Sequence, residues 1–116
     1  MSLLQKDDSI YVAGSSGMVG SAICRLLKRN GYSLQNNLLV SERKKLDLTI
    51  TKNVQNWFKE NKPDIVIIAS AKVGGIMANK TKPVDFLLEN LKIQNNLIEA
   101  SYENGVKRLL LSLIHI

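Results

Sequence analysis

Three glycines stand three residues apart in GSSGMVG, at Gly14, Gly17 and Gly20, between the apolar run IYVA and the segment SAICRLLKRN. Residues of this kind suit one chemistry, the holding of a phosphate by the main chain. Gly14 permits a sharp turn out of a strand. At Gly17 the missing Cβ lets an anion approach the backbone, and at Gly20 it lets a helix pack close to a sheet. Orphan N–H groups at the helix start then face the anion, aided by the helix dipole. The spacing is G-x-x-G-x-x-G rather than G-x-G-x-x-G. The competing reading is a tight strand-to-helix turn with no ligand.

A second group of chemically able residues follows about twenty positions later, where the adenosine ribose of a dinucleotide would meet the end of a second strand. There the chain reads Ser41-Glu42-Arg43-Lys44-Lys45. Glu42 suits a free 2′-hydroxyl, whereas three adjacent cations suit a 2′-phosphate, so NADP is expected over NAD. The bland alternative is a solvated basic loop. Asp47 and Leu48 come next, Asp47 as an acceptor for the adenine amine and Leu48 as an apolar wall against the ring.

These residues need elements to position them. IYVA (10–13) reads as a buried strand. Met18 to Arg29 reads as a helix with one buried stripe of Met18, Val19, Ala22, Ile23, Leu26 and Leu27, stopped by Asn30-Gly31. LLV (38–40) is a second strand, and Leu46-Asp47-Leu48 a brief extended piece. A helix carrying Val54, Trp57 and Phe58 follows, capped by Thr49 or Thr51. After the turn Asn61-Lys62-Pro63-Asp64, IVIIA (65–69) is apolar throughout, as in a strand covered on both faces. A loop, AKVGGIMANKTKP, leads to a long helix from Val84 to Glu103 with Phe86, Leu87, Leu91, Ile98 and Ala100 among its apolar positions. Asn104-Gly105 closes it, and VKRLLL (106–111) begins another buried strand. The alternation predicts an α/β, Rossmann-like, doubly wound parallel sheet.

Bulk properties agree with a single soluble domain. The 116 residues are 45% hydrophobic and 22% charged, ordinary for a globular protein. The net charge of +6 is dispersed and lacks a basic stripe interleaved with aromatics, which argues against nucleic acid as a partner. One cysteine, Cys24, allows no internal disulfide and no metal cluster, and reads as a small core residue. The N-terminus has no secretory pattern and no apolar run is long enough for a bilayer, so a cytoplasmic location without membrane contact is expected.

AGSSGMVGSAI (13–23), LDLT (46–49), IIASAKVGGIMANKTKPVDFLLEN (67–90) and NLIEA (96–100) together resemble the extended short-chain dehydrogenase/reductase superfamily. Within it they are most similar to the GDP-L-fucose synthases, NADP-dependent epimerase-reductases acting on GDP-4-keto-6-deoxy-mannose. AKVGGI followed by Asn79 and DFLLEN is the particular part; the glycine loop is shared across the superfamily. The resemblance implies that Gly14, Ser15, Ser16, Gly17, Met18, Val19 and Gly20 hold the pyrophosphate and that Arg43 lies near the 2′-phosphate. Ser16 stands where bacterial members often carry a second arginine. Asp47 and Leu48 match the adenine-contacting pair, and Ala69 and Ala71 the segment beside the cofactor ribose. Lys72, Val73, Gly74 and Gly75 match the loop between cofactor and sugar, and Asn90 a structural asparagine. A GDP-sugar substrate and a homodimer are implied for the full-length enzyme. Other sugar-nucleotide epimerases or dehydratases, a non-catalytic NADP(H)-binding module and a structural α/β domain are the alternatives.

The family's catalytic serine, tyrosine, lysine, cysteine and histidine have no match here. Tyr11, Tyr32 and Tyr102 are followed four positions on by Ser15, Asn36 and Val106 rather than lysine, and His115 sits in no constellation. The closing residues LSLIHI (111–116) are those encoded by CTG TCT CTT ATA CAC ATC, the mosaic end of a sequencing transposon adapter. The expectation is therefore a partial NADP-binding domain over 1–110, truncated after about four strands, with a non-native tail and the substrate domain absent. Its edge strand and one face of the long helix should then expose apolar surface.

Overall fold

The computed structural model describes residues 8–42, 44–69 and 83–111, the first five of the last segment by backbone alone. Strand and helix alternate: β1 (Ile10–Ala13), α1 (Met18–Arg29), β2 (Leu38–Val40), α2 (Thr51–Asn61), β3 (Ile65–Ile68), α3 (Pro83–Glu103) and β4 (Arg108–Leu111). The four strands form one parallel sheet in the order β2-β1-β3-β4. This is the α/β doubly wound arrangement expected from the alternation.

Strand side chains alternate between faces, and both faces are covered. Tyr11, Ala13, Val66 and Ile68 pack with Val54 and Phe58 of α2 and with Ile93, Leu97 and Ala100 of α3. Ile10, Val12, Ile65 and Leu38 pack on the other face with Cys24 and Leu27 of α1 and with Tyr32. Cys24 is thus the small buried residue that its sequence context suggests. Continuous apolar strands follow directly from this two-sided burial. The amino ends of the strands are laced together by Asp64, which accepts hydrogen bonds from Ser9 N and Ser9 Oγ at 2.9 and 3.2 Å.

Several expectations change. In α1 the buried residues are Gly20, Cys24 and Leu27, while Met18 is 88% and Leu26 59% exposed. The helix turns its glycine toward the strand exit, and its apolar stripe rotates with it. Leu46–Leu48 forms no strand, and its end is a turn, Leu48–Thr49, in which the Thr49 N–H donates to the Asp47 carboxylate. No side chain caps α2, whose N-cap is Ile50. Thr49 Oγ1 donates instead to Asp47 Oδ1, and Thr51 Oγ1 to Asn96 Oδ1. At its other end Lys62 takes the left-handed conformation, φ 45°, within the expected turn.

β4 is an edge strand among the described residues, and Leu109, Leu110 and Leu111 are exposed rather than buried. Leu88, Leu91, Ile98 and Tyr102 of α3 are exposed as well. An open strand edge beside an apolar helix face is the exposure that the sequence leads one to expect. Leu91 and Ile98 do not join the core, which α3 enters through Ile93, Leu97 and Ala100. Lys107 closes this edge against the chain start through an ion pair with buried Asp8 at 2.8 Å. No helix among the described residues is long and apolar enough to cross a membrane.

Candidate functional site: the carboxyl edge of the sheet

The strand order reverses between β1 and β3, so a crevice opens at their carboxyl ends, the usual ligand position in open α/β sheets. Ala69 N donates to Ala13 O at 2.9 Å, bringing the exit of β3 beside the glycine turn. The expected site residues Gly14–Gly20 and Ala69 therefore meet at one edge.

Two glycines of the turn have different physical reasons. Gly14 has φ 85°, a region that side chains disfavour. Gly20 is packed onto the turn itself: a Cβ there would overlap the Gly14 carbonyl oxygen and lie 2.6 Å from its carbon. Gly17 is the exception. Its φ of −76° suits any residue, and a Cβ would make only an ordinary 3.5 Å contact with Gly14 O. Nothing in the fold excludes a side chain at 17, and the residue leaves the backbone bare at an exposed position.

That backbone begins a helix. Gly17 is the N-cap of α1 and has no side chain to cap it. Gly17 N donates to Gly14 O at 3.1 Å, and Ser21 N is the first to reach back within the helix, to Gly17 O at 2.9 Å. The N–H groups of Met18, Val19 and Gly20 precede any intrahelical acceptor. No acidic residue stands in the first turn, whereas Lys28 and Arg29 stand in the last. Ser16 and Gly17 are exposed and Ser15 half-buried. The arrangement is an uncapped, positively polarised helix end open to an anion.

At the end of β2 a shallow cleft of about 220 Å³ is lined by Val40, Ser41, Glu42, Lys45, Leu46 and Trp57. Among the described residues, Lys45 is the cation of the basic run that lines it. Arg43 lies outside the described residues, as do Ala71, Lys72, Val73, Gly74, Gly75 and His115. Asp47 is exposed, and its Oδ1 accepts from Thr49 N at 3.0 Å and Thr49 Oγ1 at 2.6 Å. These two bonds orient the carboxylate relative to the loop. Leu48 is half-buried and packs against the Tyr11 cluster, so only part of it can serve as a wall.

Two residues that sequence reasoning did not single out shape this edge. Asn96 of α3 donates from Nδ2 to Leu48 O at 2.8 Å and ties the Asp47–Leu48 loop to the core. Tyr11 runs beneath the cleft, its ring 4.1 Å from that of Trp57 and 5.9 Å from that of Phe58. Its hydroxyl is 2.6 Å from Ser41 Oγ at the exit of β2. Their partners lie 48 and 30 residues away in sequence, a separation that local pattern does not reveal.

Burial pushes the Tyr11 phenol from 10.0 up to about 12, against the opposing pull of the Ser41 bond. A raised folded-state value leaves stability complete below pH 10, where the unfolded chain begins to ionise, and removes it as pH climbs toward 12. The loss amounts to about 3 kcal/mol at most. Tyr11→Phe keeps the ring stack and removes the ionisation. Urea melts between pH 9 and 12 should show the wild-type chain losing stability faster than Tyr11→Phe; parallel curves would refute the assignment.

The comparisons with known proteins agree with this architecture. The sequence profile described as the NAD dependent epimerase/dehydratase family matches residues 10–113. GDP-L-fucose synthase 1 of Arabidopsis thaliana is 49% identical over 109 residues, 94% of this chain and 33% of that protein. A GDP-mannoheptose C4 reductase from Campylobacter jejuni, solved with NADP bound, superposes with a TM-score of 0.85 at 39% identity, covering 93% of this chain and 33% of that one. A GDP-L-fucose synthetase from Naegleria fowleri bound to NADP gives 0.77 at 30% identity, covering 93% and 34%. The chain spans about a third of the length of these relatives. With its profile running from the first strand through the last, over a sheet whose reversal point carries the glycine turn, the chain belongs to the NAD dependent epimerase/dehydratase family.

Proposed function

We propose that this chain is the NADP-binding part of a GDP-4-keto-6-deoxy-D-mannose 3,5-epimerase/4-reductase, a GDP-L-fucose synthase. One observation carries the cofactor reading: Gly17 lacks a side chain where the fold would accept one, at the open N-terminus of α1. The Gly14–Gly20 turn would hold the pyrophosphate through main-chain N–H groups. The cleft beside Lys45 would take the 2′-phosphorylated ribose, with Arg43 as a second cation, and Asp47 and Leu48 would meet the adenine.

Held there, the reduced cofactor would supply hydride and the oxidised form would accept it. In this reading Ala69, beside β1, and Ala71 would meet the ribose, and Lys72, Val73, Gly74 and Gly75 would supply the loop between cofactor and GDP-sugar. The sugar class rests on the names of the relatives, which include GDP-L-fucose synthases from plants and bacteria. The isomerase and reductase chemistry belongs to the full-length enzyme, and the reading carries with it a cytoplasmic homodimer.

Titration of the 116-residue chain with NADPH and NADH, followed by ligand fluorescence, tests the cofactor assignment. The expected result is saturable binding with NADPH at least about tenfold tighter than NADH, the worth of one charge-assisted contact. Equal affinities would remove the 2′-phosphate assignment, and an absence of binding would remove the cofactor reading altogether.

A further inference from the structure

We propose that Asn96 is a positioning residue for the adenosine end of the cofactor, an inference that rests on the NADP reading above. Asn96 lies in α3, on the opposite side of the Asp47–Leu48 loop from solvent, and is 6% exposed. Both ends of its side chain are engaged. Nδ2 donates to Leu48 O at 2.8 Å, and Oδ1 accepts from Thr51 Oγ1 at 2.9 Å. A buried amide satisfied at both ends has one orientation; leaving either partner alone would cost more than the bond itself contributes.

The consequence falls on the loop. Leu48 O is held from the core side by Asn96, while Thr49 N and Oγ1 are held by the Asp47 carboxylate. The peptide group between Leu48 and Thr49 is thus held at both its carbonyl and its N–H. Leu46 N donates to Glu42 O on the other side of Asp47, and the Asp47 carboxylate is tied to the peptide that Asn96 holds. Thr51 opens α2, so the same asparagine also sets where that helix starts relative to the loop. Asn96 reaches the ligand only through Leu48; its action is on loop position, not on reacting atoms.

Asn96→Asp keeps the shape and the acceptor for Thr51 but turns an acceptor toward the Leu48 carbonyl. Asn96→Ala makes the same test without added charge if the aspartate variant does not fold. Thr51→Val cuts only the second bond. In the full chain, each variant is titrated with NADPH, with adenosine 2′,5′-bisphosphate and with reduced nicotinamide mononucleotide, and amide exchange is followed at Thr49.

The Asn96 variants should bind NADPH and the adenosine bisphosphate at least about tenfold more weakly. Affinity for the nicotinamide half should stay within about twofold, exchange at Thr49 should rise about tenfold, and Thr51→Val should leave all three affinities within about twofold. Equal weakening of both halves, equal damage by Thr51→Val, or an unmoved adenosine affinity would overturn the inference while leaving the cofactor reading in place. Failure of the wild-type chain to bind NADPH would overturn both.

Discussion

Gly20→Ala is expected to lower the stability of the chain by about 3 kcal/mol or more, read as a fall in the urea midpoint at unchanged slope. The sign is opposite to that of an ordinary helix position, where replacing glycine by alanine gains roughly 0.5–1 kcal/mol through reduced backbone entropy. What reverses it is the close approach of α1 to the turn that launches it. The new methyl would overlap the Gly14 carbonyl oxygen and sit 3.0 Å from Ser15 Cα. These are backbone atoms, with no side chain to swing aside. Gly14 is itself held at φ 85° and receives the Gly17 N–H, so relief requires moving the whole turn away from β1. Gly17→Ala is the control: its Cβ lies at an ordinary 3.5 Å from Gly14 O, and its stability should stay within about 0.5 kcal/mol of wild type. If Gly20→Ala melts like Gly17→Ala, the helix does not rest on the turn as described.

The legibility of this fold in its sequence divides along a physical line. Elements defined by their own residues were readable: IYVA as a β-rich apolar run, the helix between Met18 and the Asn30-Gly31 stop, and the all-apolar IVII of β3. Features set by how elements meet were not. Periodicity showed that α1 has an apolar stripe, but the contact of Gly20 with Gly14 chooses Cys24 and Leu27 as its buried members and leaves Met18 and Leu26 outside. Thr51 has the composition of a helix cap, yet its hydroxyl goes to Asn96, 45 residues away. Asp47 was readable as an acceptor, while the Thr49 turn that aims it competes with the extended conformation expected for LDL. RLLL reads as a buried strand because composition records what a segment can pair with; among the described residues β4 has β3 on one side only. At the site, the glycine turn was legible because two separate backbone demands, the positive φ of Gly14 and the close approach at Gly20, call for the same residue type. Asn96 was invisible because one amide in a polar stretch, Gln94-Asn95-Asn96, has no local signature.

The glycine that the fold does not need yields the sharpest test of function. Gly17→Asp is expected to stabilise the chain by about 0.5–1 kcal/mol while abolishing cofactor binding in practice. The N-cap of α1 is already in the extended region that capping residues adopt, with ψ 172°, and lacks a side-chain cap. A carboxylate there can accept from the N–H of Val19 or Gly20 and meets the positive end of the helix, both favourable. By the same act it occupies the donors and the field that the pyrophosphate would use, and adds like-charge repulsion. Loss of two hydrogen bonds to a charged group costs about 3–6 kcal/mol, at least a hundredfold in Kd at 1.4 kcal/mol per tenfold. The two readouts must move in opposite directions, the melting temperature up and NADPH affinity down. A general perturbation of the fold would lower both, and a turn with no ligand would raise the first with no affinity to lose. Unchanged NADPH binding in a stabilised Gly17→Asp chain would place the pyrophosphate away from α1, and with it the adenosine site at the end of β2.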